Sequence, residues 1–396
     1  VWSSHQPRQE NFVTNQQQQA ARTRITRATL ADGRELIYFD DPGSPERFPS
    51  ADPRALPARP DTAQLRFDQL SGEWISVATT RQNRAFLPPA RLDPLSPQTP
   101  ENPSEVPDDY DVAVFENKSP SFGPGLPDLD ATGLAEGPRP TDLFTETTSG
   151  GRCEVVCFNP SSTGSFASQT TVRARTIVEA WAHRTQELSA IPGIRQVFPF
   201  ENRGVEIGVT LHHPHGQIYS YPYVPATMQR ICESVRSYGS TLFADIVDAE
   251  RCGPRVVLAG EHFTAYVPFA ARWPVEIHLA PHRHVPDLAA TTTEERDELA
   301  TITLRLTRAL DALYDAPLPY IGSWLQAPVG PERDTVRLSW RLTSPRRSAD
   351  KLKYLAGSES GMGAWIADVA PEAAAARLRD ALAKADALAP TEPLAI

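Results

Sequence analysis

Three of the chain's nine histidines, His212, His213 and His215, fall within four positions in the run "HHPHGQIY", and Gly216 and Gln217 follow directly. Three uses of such a run differ in what they demand. A zinc ion needs three protein ligands in a catalytic site and four in a structural one. On a strand, side chains alternate between faces, so His213 and His215 share a face and His212 points away. The run then offers at most two ligands; no cysteine pair lies near it in sequence, and there is no HExxH. The second use is plain packing of two histidines at a strand start. Gly216, which lets a ligand approach the backbone, and Gln217, which extends a polar row of His213, His215 and Gln217, argue against it. A polar row facing a core is costly unless something polar occupies it. The third use is nucleophilic. A neutral imidazole can attack phosphorus and give a phosphoramidate that passes the group on. Its other ring nitrogen must be tied down to set the tautomer, a job for the preceding histidine's carbonyl. The non-bridging oxygens need donors, which N–H groups near Gly216 and the Gln217 amide could supply.

These residues need elements to hold them. "TLADGRELIYFDD" reads as a hairpin turning at Asp32-Gly33, and "LRFDQLSGEWISVAT" as another turning at Ser71-Gly72. Residues 42–62 and 88–109 are Pro-rich connectors, and "YDVAVFEN" is a strand ending at Asn117. From about residue 150 the pattern changes. "CEVVCF" is a buried strand, and "TTVRARTIVEAWAHRTQEL" carries a helical stripe of Ile177, Val178, Trp181 and Leu188. "QVFPFEN" and the apolar residues after Gln217 read as strands. A second series repeats the order: "HFTAYVPF", "VEIHLAP", a long helix opened by a Thr292–Glu295 capping box, "SWLQAP" and "TVRLSWRLTS". An internal duplication is therefore expected, with no histidine after His284 in the second copy. "PEAAAARLRDALAKADAL" is a final helix with Pro371 near its start.

The totals narrow the classes. The chain has 396 residues, room for two or three domain-sized units, and its 40% hydrophobic content is enough for a real core. A formal charge of −10 argues against a general nucleic-acid binder, which needs a basic surface. No run approaches the roughly 20 apolar residues that span a bilayer. Residues 1–25 read as a flexible polar tail without an apolar signal core. Cys153, Cys157, Cys232 and Cys252 form no CxxC and are read as reduced thiols in a cytoplasmic protein.

Ordered along the chain, the motifs resemble one family. Phe200-Glu201-Asn202-Arg203-Gly204, Gly208-Val209-Thr210 and His213-Pro214-His215-Gly216-Gln217 resemble the active-site segment of galactose-1-phosphate uridylyltransferases, a branch of the histidine-triad superfamily. "LSGEWISVATTRQNR" resembles that family's early Arg-x-x-Arg segment, "VFEN" its strand ending in a uridine-contacting asparagine, and "RSADKLKYLAGSE" its late Lys and Glu that hold the hexose. The resemblance implies an α+β fold of two fused histidine-triad-like units, mostly antiparallel sheet flanked by helices, divided as 26–225 and 226–396. It implies that His215 attacks the α-phosphorus of UDP-glucose, releases glucose 1-phosphate, and passes the uridylyl group to galactose 1-phosphate. Asn202, Gly208, Thr210 and Gln217 would contact the uridylyl phosphates, Arg81 and Arg84 would offset sugar-phosphate charge, Asn117 would meet uridine, and Lys353 and Glu359 the hexose. Gln217 in the third triad position is typical of transferases and phosphorylases rather than hydrolases. A homodimer with shared sites is implied, with neither nucleic acid nor membrane as partner. A nucleotide phosphorylase and a non-catalytic nucleotide-sugar binder are the alternatives.

The same resemblance raises metals. Many members hold structural zinc through a CxxC, a distal histidine and the first histidine of HPH. Here Asp93-Pro94-Leu95-Ser96 stands in place of the cysteines, and "GPRPTDLF" in place of the distal histidine. At the second metal site that some members carry, the matching residues are Leu325, Ser339 and Arg341. No metal or other cofactor is expected at either place, His213 is left to orient His215, and His212 is expected at the surface. Lys353 with Glu359 also fits an ordinary ion pair, Arg81 and Arg84 a solvated loop, and Asn117 a turn cap.

Overall fold

The computed structural model describes residues 22–56, 63–79, 81, 87–123 and 141–388. Fourteen of its strands matter to the site. They are β1 (Arg24–Thr29), β2 (Glu35–Asp40), β3 (Gln64–Asp68), β4 (Glu73–Val77), β5 (Val112–Glu116), β6 (Glu146–Thr148), β7 (Arg152–Cys157), β8 (Gln196–Arg203), β9 (His215–Tyr221), β10 (Val256–Ala259), β11 (Phe263–Tyr266), β12 (Val275–Pro281), β13 (Tyr320–Leu325) and β14 (Ser339–Ser344). The helices are α1 (Thr171–Ser189), α2 (Ala226–Tyr238), α3 (Leu242–Arg251), α4 (Thr293–Ala312), α5 (Gly357–Met362) and α6 (Pro371–Leu388). Eleven strands form one antiparallel sheet in the order β1-β2-β5-β7-β9-β8-β13-β14-β12-β11-β10. Its two halves meet where β8 pairs β13, with Phe200 opposite Ser323 and Arg203 opposite Tyr320. In each half the helix leads into the inner strand pair: α1 into β8 and β9, α4 into β13 and β14.

Local chemistry explains the main helices. Thr170 caps α1 by accepting the Arg173 N–H at 3.1 Å. In α4 the expected capping box forms, with Glu295 N–H on Thr292 Oγ1 at 3.2 Å and Thr292 N–H on Glu295 Oε2 at 2.8 Å. Their apolar stripes cover one sheet face. Ile177, Val178, Trp181 and Leu188 of α1 join Leu299, Leu306 and Leu310 of α4 over Val156, Ile218 and Leu342. Each such side chain contributes roughly 1.5–3 kcal/mol by leaving water. An aromatic knot of Phe158, Phe166 and Trp181 lies directly beneath β9, with ring centroids 5.6–6.0 Å apart.

The opposite face carries the irregular segments. The Pro-rich loop folds back on β2, β5 and β7 and buries Leu95, Val106 and Tyr110 beside Tyr38, Phe115 and Cys157. A three-stranded sheet, β4-β3-β6, packs Leu65 and Trp74 near Phe122, Tyr219 and Tyr221. The hairpin pair α2–α3 is not among the elements the sequence pattern identifies. Its α2 stripe is only Met228, Cys232 and Val235, too short to stand out among polar neighbours.

Candidate active site

Strand β9 begins at His215, not before it. The expected single row of His213, His215 and Gln217 is therefore corrected: His213 precedes the strand and turns into the interior, only 2% exposed, while His215 and Gln217 are half-buried on one strand face. Gln217 lies opposite Phe200 on β8 and Val155 on β7, and His215 lies opposite Cys157. Gly216, on the other face, sits opposite Glu201 and against Phe158. His212 is exposed, as expected.

The His215 ring is oriented by its neighbour's backbone. Its Nδ1 lies 2.6 Å from the carbonyl oxygen of His213. A carbonyl only accepts, so Nδ1 carries a proton, and in the neutral form of the ring the lone pair is on Nε2. That carbonyl is held from several sides. The His213 ring places Nδ1 2.6 Å from Asp93 Oδ2 and Nε2 2.7 Å from the Asn159 carbonyl oxygen and 3.0 Å from the Tyr110 hydroxyl. The next residue is tied too, since Phe158 N–H donates to the Pro214 carbonyl at 3.0 Å. Asp93 in turn accepts from Ser96 Oγ at 2.7 Å and Leu95 N–H at 3.1 Å, while Asn102 donates to its carbonyl at 2.8 Å. Burial alone would raise the Asp93 carboxyl. The His213 bond and charge, with Ser96 and the Leu95 N–H, outweigh that and hold it below the ordinary range.

The residues expected at the phosphates come from adjoining segments. Asn202 is on β8, opposite Ile321. Gly208 ends a short turn in the left-handed region, φ 82°, a conformation that favours glycine. Thr210 accepts the Leu87 N–H at its carbonyl, 2.8 Å away. Arg203, from the same motif, is bound bidentately to Asp311 at 2.7 and 3.1 Å and lies 5.7 Å from the Tyr320 ring, so it joins the two halves. Beside it, burial lifts the Glu201 carboxyl to about 7, against the Tyr320 hydroxyl and Arg203, which pull it down.

Arg81 and Asn117 meet at one turn: Asn117 Oδ1 accepts the Ser119 N–H at 2.9 Å, and Arg81 Nη1 reaches the Ser119 carbonyl at 3.5 Å. Arg84 lies outside the described residues. Lys353 and Glu359 form a buried ion pair at 2.7 Å, and Lys353 also donates to the Arg272 carbonyl at 2.8 Å between the Trp273 and Trp365 rings. Their recorded partners thus lie in their own segment and the turn at 272–273, not on β9.

The donors near His213 do not suit zinc. Both ring nitrogens are engaged by protein atoms, and no group of three His, Cys, Asp or Glu side chains able to hold a metal occurs among the described residues. At the second place, Ser339 and Arg341 share a face of β14, with Arg341 opposite Ser323 and His278; a guanidinium is no ligand for a cation. Sequence reasoning missed Tyr110 and Asn159 and recognised Asp93 only as a lost cysteine position. Asp93 and His213 are 120 residues apart, and no local signal joins them.

Two domain models match the chain: the galactose-1-phosphate uridyl transferase N-terminal domain over residues 57–225 and the C-terminal domain over residues 226–389. A galactose-1-phosphate uridylyltransferase of Streptomyces lividans is 38% identical over 376 residues, covering 90% of this chain and 97% of that protein. One from Thermotoga maritima is 33% identical over 328 residues, covering 80% and 98%. A solved uridylyltransferase structure superposes with a TM-score of 0.71 at 30% identity, covering 81% of this chain and 99% of that one. An ADP-glucose phosphorylase from Arabidopsis thaliana shares the fold at a TM-score of 0.60 and 19% identity, covering 81% and 98%.

Proposed function

Because the chain belongs to the galactose-1-phosphate uridyl transferase family, we propose that it moves UMP from UDP-glucose to galactose 1-phosphate through a covalent intermediate on His215. The Nε2 lone pair attacks the α-phosphorus, the bond from phosphorus to the bridging oxygen breaks, and glucose 1-phosphate leaves. A phosphate oxygen of galactose 1-phosphate then attacks the same phosphorus, the P–N bond breaks, and UDP-galactose forms. The observation that carries this reading is the 2.6 Å contact from His215 Nδ1 to the His213 carbonyl. It sets the tautomer in the free enzyme and opposes the positive charge that the ring gains on attack.

Gln217, Asn202, Gly208 and Thr210 bind the phosphates in this reading, Arg81, Arg84 and Asn117 the rest of the nucleotide sugar, and Lys353 and Glu359 the hexose. The segment bearing the last two exposes Tyr354, Leu355 and Met362, which supports a homodimer whose strap reaches a neighbouring site. No metal takes part. Four unpaired thiols, Cys153, Cys157 and Cys232 buried and Cys252 exposed, support a cytoplasmic location. No helix among the described residues is long and apolar enough to cross a membrane.

Incubation with UDP-glucose labelled in its uridylyl part tests the reading. Acid-labile, base-stable label is expected on the wild-type protein and none on His215→Ala. Normal turnover by that variant would remove His215 as the nucleophile. UDP-glucose binding without any label would mark a binder, and release of a nucleoside diphosphate on adding inorganic phosphate would mark a phosphorylase.

A further inference from the structure

We infer that Asp93 is a positioning residue for the transfer reaction, pinning the His213 ring and so fixing the carbonyl that orients His215. This rests on the reading of His215 as nucleophile.

The pinning follows from the partners. The Asn159 oxygen, 2.7 Å from His213 Nε2, is a backbone carbonyl and can only accept. Tyr110 gives its hydroxyl proton to the Leu95 carbonyl at 2.7 Å, so it turns a lone pair toward the same Nε2, 3.0 Å away. Nε2 must therefore carry a hydrogen. On the other side, Asp93 Oδ2 takes the Ser96 hydroxyl at 2.7 Å while Oδ1 takes the Leu95 N–H at 3.1 Å, and its backbone carbonyl takes Asn102 Nδ2. With the Ser96 hydroxyl and the Leu95 N–H fixing its carboxyl, Asp93 meets His213 Nδ1 at 2.6 Å. The ring is therefore held at both edges, by Asp93 at Nδ1 and by the Asn159 and Tyr110 oxygens at Nε2. His213 and Asp93 are both buried, at 2% and 5% exposure, so the pair is shielded from water and salt.

The pair bridges the Pro-rich loop to the segment entering β9. The ring anchors the backbone of residue 213, and that backbone accepts the His215 proton. Loss of the pair leaves a buried imidazole facing an unmatched partner and frees the carbonyl to move relative to His215.

The first measurement uses the unmodified protein. The ¹H resonance of the proton between His213 Nδ1 and Asp93 should lie far downfield and exchange slowly, as a short buried bond to a carboxylate does, and its absence would overturn the inference without any variant. In the second, Asp93→Asn keeps size but removes the charge. Its kcat should fall about 10- to 100-fold, the scale of a sub-ångström misplacement of a reacting group, with KM for UDP-glucose within about twofold. Asp93→Glu should restore part of the kcat. Wild-type kcat in a folded Asp93→Asn variant, or equal losses in the Asn and Glu variants, would overturn it. Should Asp93→Asn not fold, the resonance measurement still decides. Wild-type protein dialysed against a chelator should keep its kcat; a loss restored by zinc would overturn the metal-free tie. Normal turnover by His215→Ala would instead remove the underlying reading and leave the His213 resonances as they are.

Discussion

Gly216 carries a steric prediction that can be worked through in numbers. A Cβ placed there would stand 3.1 Å from Phe158 Cζ, 3.3 Å from Phe158 Cε1 and 3.1 Å from the Phe200 carbonyl oxygen. Comfortable contacts between such atoms lie at about 3.5–4.0 Å, so both neighbours would have to withdraw by several tenths of an ångström. Neither is placed to do so. The Phe158 ring is fully buried and meets Phe166 and Trp181 edge-on at 5.6 and 6.0 Å. The Phe200 carbonyl belongs to β8, which is paired to β9 on one side and β13 on the other. Overpacking of this kind costs about 1–3 kcal/mol. For a chain this long that is roughly 1–4 °C in Tm, scaling the unfolding entropy with length. The strain also pushes β9 off β8 between His215 and Gln217, so Gly216→Ala should lose about 10-fold or more in uridylyl transfer, since small misplacements of a reacting group are expensive. Thermal unfolding and initial rates with UDP-glucose and galactose 1-phosphate measure the two effects. A variant as stable and as fast as the parent would show that the ring and the carbonyl yield freely, and the packing argument would fail.

Two pH-linked predictions concern the carboxyls of Glu201 and Glu359. Burial raises the Glu201 carboxyl from 4.5 to about 7, so the folded state holds this proton more tightly than the unfolded one. Its stabilising contribution is full below pH 4.5 and lost as pH rises through about 7; Glu201→Gln should flatten the fall in Tm across that interval, and an unchanged profile would refute the assignment. The Lys353 hydrogen bond, then the Ala356 N–H, lower the Glu359 carboxyl from 4.5 to about 2. That contribution is present above pH 4.5 and disappears as pH falls toward 2. Lys353→Met should therefore show a shallower acid-side loss of Tm from pH 5 to 3, and a slope equal to the parent's would count against the pair.

Elements with strong local signals were legible. Asp32-Gly33 and Ser71-Gly72 turn the two hairpins as read, with Gly33 and Gly72 at positive φ, because a tight turn of that geometry demands glycine whatever surrounds it. The α1 stripe and the α4 capping box are equally local. The α2–α3 pair was not legible, because its apolar positions are few and make sense only beside Leu325, Ala327 and Val336, which lie far along the chain. Nor was the start of β9 at His215, since a period-two pattern of histidines cannot say where sheet pairing begins.

The sequence by itself determined the family and an α+β plan in which strands and helices recur in a second series, since each is written in contiguous motifs. The tertiary structure alone decided which way His213 turns and what holds it. Asp93, Tyr110 and Asn159 reach that ring from 120, 103 and 54 residues away. Hydrogen bonds depend on distance and direction in space, and a linear pattern records neither once the partners lie on different loops.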